Sequence, residues 1–523
     1  MRVSFIAAEC EPWAKTGGLA DVVDALARAL AGIRTPPPGT DAVVDGPVDV
    51  YLPLYRGTPV PEAKVIARSQ LRIPDATLPE GVNEVTLVDV AADGYRLRLV
   101  DHPGAFDRDG YYGDAAGDYP DNAWRFGLFC RAALEAIRRD GGTDILHLHD
   151  WHTGPALLLR DGAYAGDAAL GPAAALLTLH NLAYHGWVPP DRVWLLGLDR
   201  PPLDAGSGHR PVAAGPQAGI DLLRAGIERA ELVNTVSPTF AAESLRPEFG
   251  MGLDALLMER GDAFFGILNG IDPAVWDPAT DADIAATYDL ADPRGKAACR
   301  RDLLARVGFD PDDDGPVFGA IGRLDPQKGF DLLAAAAPAI VAASGRLVIQ
   351  ANGDPRIAEP LRALATSEPR SVAFIERFDR AMARRIYAGA DLFVMPSRFE
   401  PCGQGQMLAL RYGTPPVVRS TGGLVDTVAD VDADPVGGVG FRFGPADADS
   451  LVAACARAMA YRGDGRSARW DGLVRRAMAA DFSWESGSAP RYLAAYALAL
   501  RLRSESGDAD GASRASATTA TSG

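Results

Sequence analysis

Cysteine is scarce in this chain. Its 523 residues include only five cysteines, and no two of them form a Cys-x-x-Cys pair. Such a set excludes a disulfide framework and offers no zinc-binding spacing. Long apolar runs are also missing, because none approaches the roughly 18 residues of a membrane span and Glu9 and Glu11 interrupt the first apolar stretch. We therefore expect no signal peptide, no membrane anchor and a location in the reducing cytoplasm.

Positive charge is deficient as well. The sequence has 52 Lys and Arg against 69 Asp and Glu, which gives a formal net charge of -17. This balance argues against nucleic acid or an anionic membrane as a partner, because both would be repelled. An anionic ligand must then be held by local basic groups. The 47% hydrophobic and 23% charged content is that of a globular protein, and the length suggests two or three domains.

Apolar runs of strand length alternate with longer helical patterns along most of the chain. This alternation predicts parallel sheets with helices on both faces. It starts again near Phe264, so we expect an α/β protein of two doubly wound, Rossmann-like domains that face an interdomain cleft. The predicted ranges are 1–263 for the first domain, 264–480 for the second, 481–503 for a closing helix and 504–523 for a disordered tail.

The strand candidates indicate where ligands would bind. Ligands of doubly wound sheets bind beyond the carboxyl ends of the strands, so the residues that follow each strand are the candidates for function. Segments rich in Pro and Gly at 35–47 and 199–217 are predicted to be loops. The strand candidates are Val3–Ala8, Val48–Leu52, Asp144–Leu148, Ala174–Leu179, Glu231–Val236, Phe265–Leu268, Val317–Ile321, Leu347–Gln350, Val372–Ile375, Leu392–Met395 and Pro416–Val418.

The segment Lys15–Val22 (Lys-Thr-Gly-Gly-Leu-Ala-Asp-Val) stands between the first strand candidate and a helical pattern. Gly17 and Gly18 let a ligand approach the backbone, the helix N-terminus offers free N–H donors, and Lys15 adds a full charge. The pattern predicts a phosphate-binding turn, and a tight turn beside a solvated lysine is the alternative. A similar segment, Thr421–Val428 (Thr-Gly-Gly-Leu-Val-Asp-Thr-Val), follows a later strand. There a packing turn and a ligand contact are both open.

Two charged positions follow strands of the predicted second domain. Arg323 and Lys328 lie in a Pro-containing loop after one strand, where a guanidinium fork and a point charge would suit a diphosphate. Such groups typically stabilise a leaving phosphate by several kcal/mol in a water-poor site. Glu400 follows another strand, before a turn whose backbone N–H groups at Cys402 and Gly403 would point at a sugar or phosphate. The alternatives are a solvated basic pair and a glutamate that only complements a helix dipole.

Five of the seven histidines fall between residues 147 and 185, after two strands of the predicted first domain. No Glu or Cys stands at a familiar zinc spacing beside them, and histidines at strand ends often bond only to backbone carbonyls. Carbohydrate is the favoured ligand, because sugar hydroxyls suit neutral His, Asn and Asp side chains, and Trp151 is available to stack on a ring face.

Nine motifs, taken together and in order, resemble the glycogen/starch synthase family in its ADP-glucose-using bacterial branch. The resemblance spans roughly residues 1 to 500. The motifs are Lys15–Val22, Gly117–Asn122, His149–His152, Thr178–Tyr184, Thr235–Pro238, Ile267–Asp272, Gly322–Gly329, Ser397–Gly403 and Asp481–Trp484.

The resemblance implies a GT-B glycosyltransferase with glycogen/starch synthase activity. It would transfer glucose from ADP-glucose to the 4-hydroxyl at the non-reducing end of an α-1,4-glucan such as glycogen, with retention of the α configuration. No metal and no cofactor are implied, ADP-glucose being the donor substrate. The closing helix would cross back to the first domain.

The resemblance also implies roles for individual residues. Arg323 and Lys328 would neutralise the leaving ADP phosphate, and His180 would contact the donor glucose. Glu400, with the backbone of Cys402 and Gly403, would hold the glucose hydroxyls. The remaining substrate-binding positions are Lys15, Gly17, Gly18 and Asp21 near the diphosphate and sugar, Asn269 near the sugar, Phe378 stacked on the adenine, and Asp150, Trp151 and His152 toward the acceptor.

Two alternatives stay open beside this interpretation. One is a related transferase that uses UDP-glucose or a small acceptor, because the base-binding pocket has no clear sequence signature. The other is an inactive glucan-binding protein, which the complete set of charged positions disfavours. Three positions depart from the family pattern, and we expect Ala351 to restrict a turn and Gln404 to alter a loop near the sugar, while Trp124 replaces a polar residue.

Overall fold

The computed structural model describes the backbone of residues 1–74, 81–114, 116–196, 219–465 and 467–520, and their side chains as far as residue 506. The predicted loop 199–217 and most side chains of the predicted tail lie outside this set. The chain divides into two compact units. The first comprises Met1–Val236, Ser244–Ile267 and Trp484–Gly523, and the second comprises Ser237–Glu243 and Leu268–Ser483.

The first unit is built on a nine-stranded sheet in the order β13-β12-β9-β8-β1-β2-β5-β4-β3. All neighbouring strands are parallel except β3, β4 and β5, which pair antiparallel. Two short antiparallel pairs, β6 with β7 and β10 with β11, lie outside it. The strands are β1 (Val3–Ile6), β2 (Val48–Pro53), β3 (Val65–Pro74), β4 (Val82–Ala91), β5 (Tyr95–Asp101), β6 (Gly113–Asp114), β7 (Gly117–Asp118), β8 (Ile145–His149), β9 (Ala174–Leu179), β10 (Trp187–Val188), β11 (Ile220–Asp221), β12 (Leu232–Thr235) and β13 (Phe264–Gly266).

The second unit contains a six-stranded parallel sheet in the order β16-β15-β14-β17-β18-β19. Its first strand lies in the middle and the chain reverses direction of growth between β14 and β17, which is the arrangement of a dinucleotide-binding fold. The strands are β14 (Val317–Leu324), β15 (Arg346–Gly353), β16 (Val372–Ile375), β17 (Leu392–Met395), β18 (Pro416–Arg419) and β19 (Phe441–Phe443).

Helices connect the parallel strands in both units, as their crossovers require. Asp379 and Asp447 cap two of them by accepting backbone N–H bonds from the first turn. The helices are α1 (Gly18–Gly32), α2 (Pro103–Phe106), α3 (Asn122–Arg139), α4 (Gly154–Asp161), α5 (Leu222–Arg229), α6 (Pro238–Ser244), α7 (Asp254–Glu259), α8 (Gly295–Arg306), α9 (Phe330–Ala342), α10 (Pro355–Ser367), α11 (Arg380–Gly389), α12 (Gly405–Arg411), α13 (Gly422–Thr427), α14 (Ala448–Arg462), α15 (Ala468–Ala479) and α16 (Ala489–Ala520).

The last helix, α16, belongs to the first unit. Its Tyr492 hydroxyl accepts a hydrogen bond from Asn234, and its Tyr496 hydroxyl lies 2.8 Å from Nδ1 of His147 on β8. The helix runs to Ala520, further than the helical pattern that ends near residue 502. In the described part of the chain, no helix combines the length and apolarity that crossing a membrane would require.

The α/β fold class with parallel sheets and two Rossmann-like units is confirmed, with two differences. The strand at Phe264 was expected to open the second sheet, yet β13 pairs with β12 in the first sheet, and the main segment of the second unit begins at Leu268. Apolar character gives a strand but not the sheet that it joins. Ala351 does not restrict a turn, because it lies buried within β15, and Gly353 with φ of 143° makes the turn.

Candidate active site

The Lys-Thr-Gly-Gly turn follows β1, at the point where the order of the first sheet reverses between β1 and β8. A side-chain carbon added at Gly17 or Gly18 would meet no atom within 4 Å, so the fold itself leaves the space above both glycines open. The backbone N–H groups of Thr16 and Gly17 donate to the buried Glu9 carboxylate at 2.5 and 3.1 Å. Both residues precede helix α1, which begins at Gly18, so these bonds fix the turn that leads into the helix N-terminus predicted to hold a phosphate.

The positive charge of this turn is also balanced. Lys15 Nζ lies 2.6 Å from Asp21 Oδ1 and 3.3 Å from Glu11 Oε2. Burial alone lowers the pKa of Lys15, but the two carboxylates raise it overall above its ordinary value. Lys15 therefore stays protonated near neutral pH, and its ammonium is held by Asp21 and Glu11.

Asp150 and His180 follow the neighbouring strands β8 and β9 and are joined directly. Asp150 Oδ1 accepts the backbone N–H of His180 at 2.7 Å, and burial raises the pKa of this carboxyl to about 7. Asp150 has φ of 56°, a left-handed conformation that few residues other than glycine adopt. Strain of this kind is concentrated at functional sites, and here it brings Asp150 to the strand end where it orients His180.

The His180 ring is held by a second histidine. His149 Nδ1 and His180 Nε2 lie 3.1 Å apart, and burial lowers the pKa of His180 to about 3. Both rings are therefore neutral at physiological pH, with one nitrogen donating to the other. A neutral His180 suits a sugar hydroxyl as predicted. His147, by contrast, is a structural residue, because its two nitrogens lie within 2.8 Å of the Tyr496 and Thr178 hydroxyls.

Trp151 and His152 form an aromatic stack beside these residues. Their ring centroids are 4.0 Å apart, and Tyr112 covers the His152 ring at 4.6 Å. Both nitrogens of the buried His152 ring lack a hydrogen-bond partner among the described residues. Burial lowers the pKa of His152 to about 3. Because buried polar atoms in proteins are normally paired, these two nitrogens are unusual in being unsatisfied.

In the second unit, Lys328 and Glu400 meet at the switch point between β14 and β17. Lys328 Nζ lies 2.9 and 2.7 Å from the two Glu400 carboxylate oxygens, and the Ser397 hydroxyl donates to the same carboxylate at 3.0 Å. The sequence did not predict this ion pair. Lys328 and Glu400 were expected to act as separate groups, but they bind each other. A ligand phosphate would share the lysine with Glu400.

The other predicted residues of this unit differ in exposure. Arg323 is 61% exposed and lies 3.5 Å from Asp325, so its guanidinium fork faces solvent at the end of β14. The Phe378 ring is 75% exposed. Asn269 is buried, and its side-chain oxygen has no partner among the described residues. Cys402 is also buried, which raises the pKa of its thiol to about 12 and excludes a thiolate nucleophile.

The loop from Glu400 to Gly403 is fixed by the protein itself. Gly403 has φ of 74°, which favours glycine, and the Gln406 amide donates to the carbonyls of Cys402 and Gly403 at 3.0 and 3.1 Å. Gln404 and Gly405, where the chain departs from the family pattern, line a cavity of about 130 Å³ together with Gly322 and Lys328. The departure therefore lies beside the charged pair.

The second Thr-Gly-Gly turn is a packing turn. A side-chain carbon at Gly422 or Gly423 would overlap the backbone of Glu400 or Cys402. The buried Glu243 carboxylate accepts bonds from the Thr421 hydroxyl and the Gly422 N–H, both at 3.1 Å. Of the two interpretations open for this segment, the packing turn is therefore the correct one, and it supports the Glu400 loop from behind.

The structure thus gathers the predicted residues of the first unit around the switch point of its sheet, as a first group, and Arg323, Lys328 and Glu400 at the switch point of the second sheet, as a second group. Phe378 stands apart from the second group, because it follows β16 at the edge of that sheet. Sequence reasoning missed Glu9 and Tyr112 in the first group, and the only signal for them is that a Thr-Gly-Gly turn needs an acceptor for its N–H groups. In the described part of the chain, no three His, Cys, Asp or Glu side chains are placed to hold a metal ion.

Comparison with known proteins covers both units. Residues 2–259 match the family model described as starch synthase catalytic domain, and residues 315–460 match glycosyl transferases group 1. The chain is 42% identical over 500 residues to the glycogen synthase of Anaeromyxobacter dehalogenans (strain 2CP-C), covering 95% of this chain and 99% of that protein. It is 40% identical over 496 residues to the glycogen synthase of Halorhodospira halophila, covering 93% and 97%.

A solved structure is similar over the same length. The catalytic domain of starch synthase IV from Arabidopsis thaliana, bound to ADP and acarbose, matches with a TM-score of 0.81 at 32% identity. The match covers 96% of this chain and 99% of that one.

Proposed function

Because the chain belongs to the glycogen/starch synthase family, we propose that it transfers glucose from ADP-glucose to the 4-hydroxyl at the non-reducing end of an α-1,4-glucan, with retention of configuration. The observation that carries this proposal is the Lys328–Glu400 pair at the switch point of the second sheet, where such folds bind nucleotides. Relatives named glycogen synthase that match nearly the whole chain support the acceptor, and the ADP-bound starch synthase supports the donor.

We propose that the second unit binds the donor. The exposed Arg323 fork and Lys328 would meet the diphosphate, and their charge would stabilise the ADP that leaves. The exposed Phe378 ring would stack on the adenine. Asn269, with its unpaired side-chain oxygen, and the backbone of Cys402 and Gly403 would bind the glucose hydroxyls.

The first unit would supply the groups around the transferred glucose and the acceptor. The neutral His180 would donate to or accept from a glucose hydroxyl, with Asp150 and His149 holding its orientation. Trp151 and the unpaired nitrogens of His152 would bind the incoming glucan. Lys15, Gly17, Gly18 and Asp21 would contact the diphosphate and the sugar from the turn after β1, and the open space above the glycines supports this role.

Retention is best explained by a substitution on the front face, in which the leaving phosphate helps to deprotonate the acceptor hydroxyl. A covalent route would need a free carboxylate as nucleophile. We propose that Glu400, which is bonded to Lys328 and Ser397, and Asp150, which is bonded to the His180 backbone, serve instead as hydrogen-bonding and orienting groups. We propose Glu400 as the group that holds a glucose hydroxyl.

No metal or cofactor is assigned to this reaction, because the leaving charge has Arg323 and Lys328 to meet it. The enzyme is proposed to act in the cytoplasm without nucleic acid or membrane as a partner. Its five cysteines are all unpaired and buried, as expected in a reducing compartment, and the net charge of -17 disfavours polyanions.

The test is incorporation of radiolabelled glucose from ADP-glucose into glycogen, with and without a chelator. Glu400→Gln and Lys328→Ala should each lower transfer by about 10²-fold or more. Transfer that is unchanged in both variants would show that the site is misassigned, and loss of activity with chelator would contradict the metal-free mechanism. Faster transfer from UDP-glucose than from ADP-glucose would favour the alternative donor.

A further inference from the structure

Glu9 lies directly after β1 and is bonded to the protein through both carboxylate oxygens. Its Oε2 accepts the backbone N–H groups of Thr16 and Gly17 at 2.5 and 3.1 Å. Its Oε1 accepts the hydroxyls of Thr16 and Tyr112, each at 2.6 Å. A carboxylate has about four lone-pair directions, so this group is fully saturated by four donors.

None of these donors carries a charge. Glu9 is 4% exposed and forms no ion pair within the described ranges, whereas Lys15 nearby pairs with Glu11 and Asp21. Burying a carboxylate without a cation is unfavourable unless hydrogen bonds compensate it fully. A carboxylate at this position is therefore better explained by the arrangement that it imposes on its four partners than by a gain in stability.

The four donor groups come from three residues, which belong to two different parts of the first group. Thr16 and Gly17 form the turn that carries Lys15 and Gly18. Tyr112 covers the ring of His152 at 4.6 Å, and His152 stacks on Trp151 at 4.0 Å. One carboxylate thus binds both the turn proposed for the donor and the aromatic stack proposed for the acceptor, and its Oε1 accepts a hydroxyl from each of them.

We propose that Glu9 is a positioning residue for glucosyl transfer, which holds the Lys-Thr-Gly-Gly turn and the Tyr112–His152 stack in one register so that donor and acceptor are aligned. This inference rests on the proposed function. Glu9 does not contact the reacting atoms but acts through Thr16, Gly17 and Tyr112. A displacement of about 1 Å in such a support is enough to lower a rate by about 10²-fold.

The test separates the effect of Glu9 on the turn from its effect on the aromatic stack. In Glu9→Gln, an NH2 group replaces one carboxylate oxygen and faces N–H and O–H donors that can no longer bond to it. We expect kcat/KM to fall by about 10²-fold, with a higher KM for both substrates. Tyr112→Phe removes one hydroxyl and should raise the KM for glycogen by about 3- to 10-fold while that for ADP-glucose is unchanged. Thr16→Val should raise the KM for ADP-glucose and leave the KM for glycogen unchanged. Thr16→Ser, which keeps the hydroxyl, should have wild-type values of both.

Glu231 provides the matched control. It is a nearly buried carboxylate directly before β12 in the same sheet, where it accepts the Ala175 N–H of β9 at 2.6 Å and pairs with Arg160 and Arg503. Glu231→Gln should lower the thermal midpoint of unfolding without changing either KM. This comparison distinguishes a general loss of stability from misalignment of substrates.

A double variant, which tests whether Tyr112 acts through Glu9, completes the experiment. Tyr112→Phe added to Glu9→Gln should have almost no further effect, because the support is already lost. If Glu9→Gln behaves like Glu231→Gln, or if Tyr112→Phe and Glu9→Gln are additive, the inference is wrong while the proposed function stands. If wild-type protein transfers no glucose from ADP-glucose, the proposed function itself fails.

Discussion

The two Thr-Gly-Gly-Leu-x-Asp turns, Thr16–Asp21 in the first unit and Thr421–Asp426 in the second, have nearly the same sequence and the same local support. In each, a buried glutamate accepts the threonine hydroxyl and the N–H of the first glycine. The glutamates come from different places, Glu9 after a strand and Glu243 in the helix Pro238–Ser244. Glutamates from unrelated parts of the chain therefore accept the same pair of hydrogen bonds in the two turns.

The turns differ in what lies above their glycines. Above Gly17 and Gly18 there is no atom within 4 Å, whereas Gly422 and Gly423 press against the backbone of Glu400 and Cys402. Glycine is thus required in the second turn by the protein's own packing, and it is left unexplained by packing in the first. The same sequence motif therefore forms an open turn in one unit and a packed turn in the other, and this difference in packing is not contained in the motif.

The largest effect is expected from Gly423→Ala in the packed turn. The new methyl group would overlap backbone atoms of Cys402, and backbone cannot move aside as a flexible side chain can. We expect a loss of about 3 kcal/mol or more in the free energy of unfolding, together with loss of transfer activity. Urea unfolding and a transfer assay check this, and wild-type stability in the variant would mean that the turn is not packed as described.

Gly18→Val in the open turn should have the opposite profile. A Cβ added at Gly18 meets no protein atom within 4 Å, so we expect the thermal midpoint to change little, while transfer should fall by about 10²-fold because the valine fills the ligand space. ADP binding should be less affected than transfer. Gly32→Val, at an equally open glycine at the end of the same helix, is the control and should keep full activity. Equal losses of ADP binding and transfer would instead indicate a simple phosphate cradle.

Much of this site could be predicted from sequence because strand ends concentrate function in parallel sheets. The strands at Ala174–Leu179, Val372–Ile375 and Leu392–Met395 have the predicted bounds, since buried strands read as continuous apolar runs. The antiparallel strands β3 to β5 were not predicted. β3 lies at the sheet edge with mostly exposed residues and gives no such run, and polar residues interrupt the apolar runs of β4 and β5.

Contacts between side chains distant in sequence were beyond prediction. The Lys328–Glu400 pair joins residues 72 positions apart, and the Glu9–Tyr112 bond joins residues 103 apart. Lys328 and Glu400 were identified separately, each from the strand that precedes it. Their mutual neutralisation depends on β14 and β17 being neighbours, a fact of topology that neither motif contains.

The turn at Gly17 and Gly18 is also linked to a titratable group, His152. The Tyr112 hydroxyl donates to Glu9, and the Tyr112 ring packs on the His152 ring. The pKa of His152 is about 3 in the folded protein and about 6.5 when unfolded, so its contribution to stability is complete above pH 6.5 and is lost as pH falls toward 3. Asp150, with a pKa of about 7, acts in the opposite sense, its contribution being lost as pH rises from about 4 to 7.

We therefore expect His152→Gln to flatten the acid side of the stability profile. Between pH 6 and 4 the free energy of unfolding should depend on pH by about 1.4 kcal/mol per unit less in the variant than in the wild type. Urea titrations at several pH values measure the slope. Parallel profiles for the two proteins would mean that His152 titrates normally and is not buried as described.

The smallest effects come from the same substitution made in both turns. Thr421→Val removes a hydroxyl that donates to Glu243, and it should lower the free energy of unfolding by about 1 to 2 kcal/mol without changing either KM. Thr16→Val removes the equivalent donor to Glu9, and it should raise the KM for ADP-glucose several-fold. Measuring stability and both KM values for each variant places the two turns on one scale. A raised KM in Thr421→Val, or none in Thr16→Val, would show that the motif and not the space around it decides which turn serves the ligand.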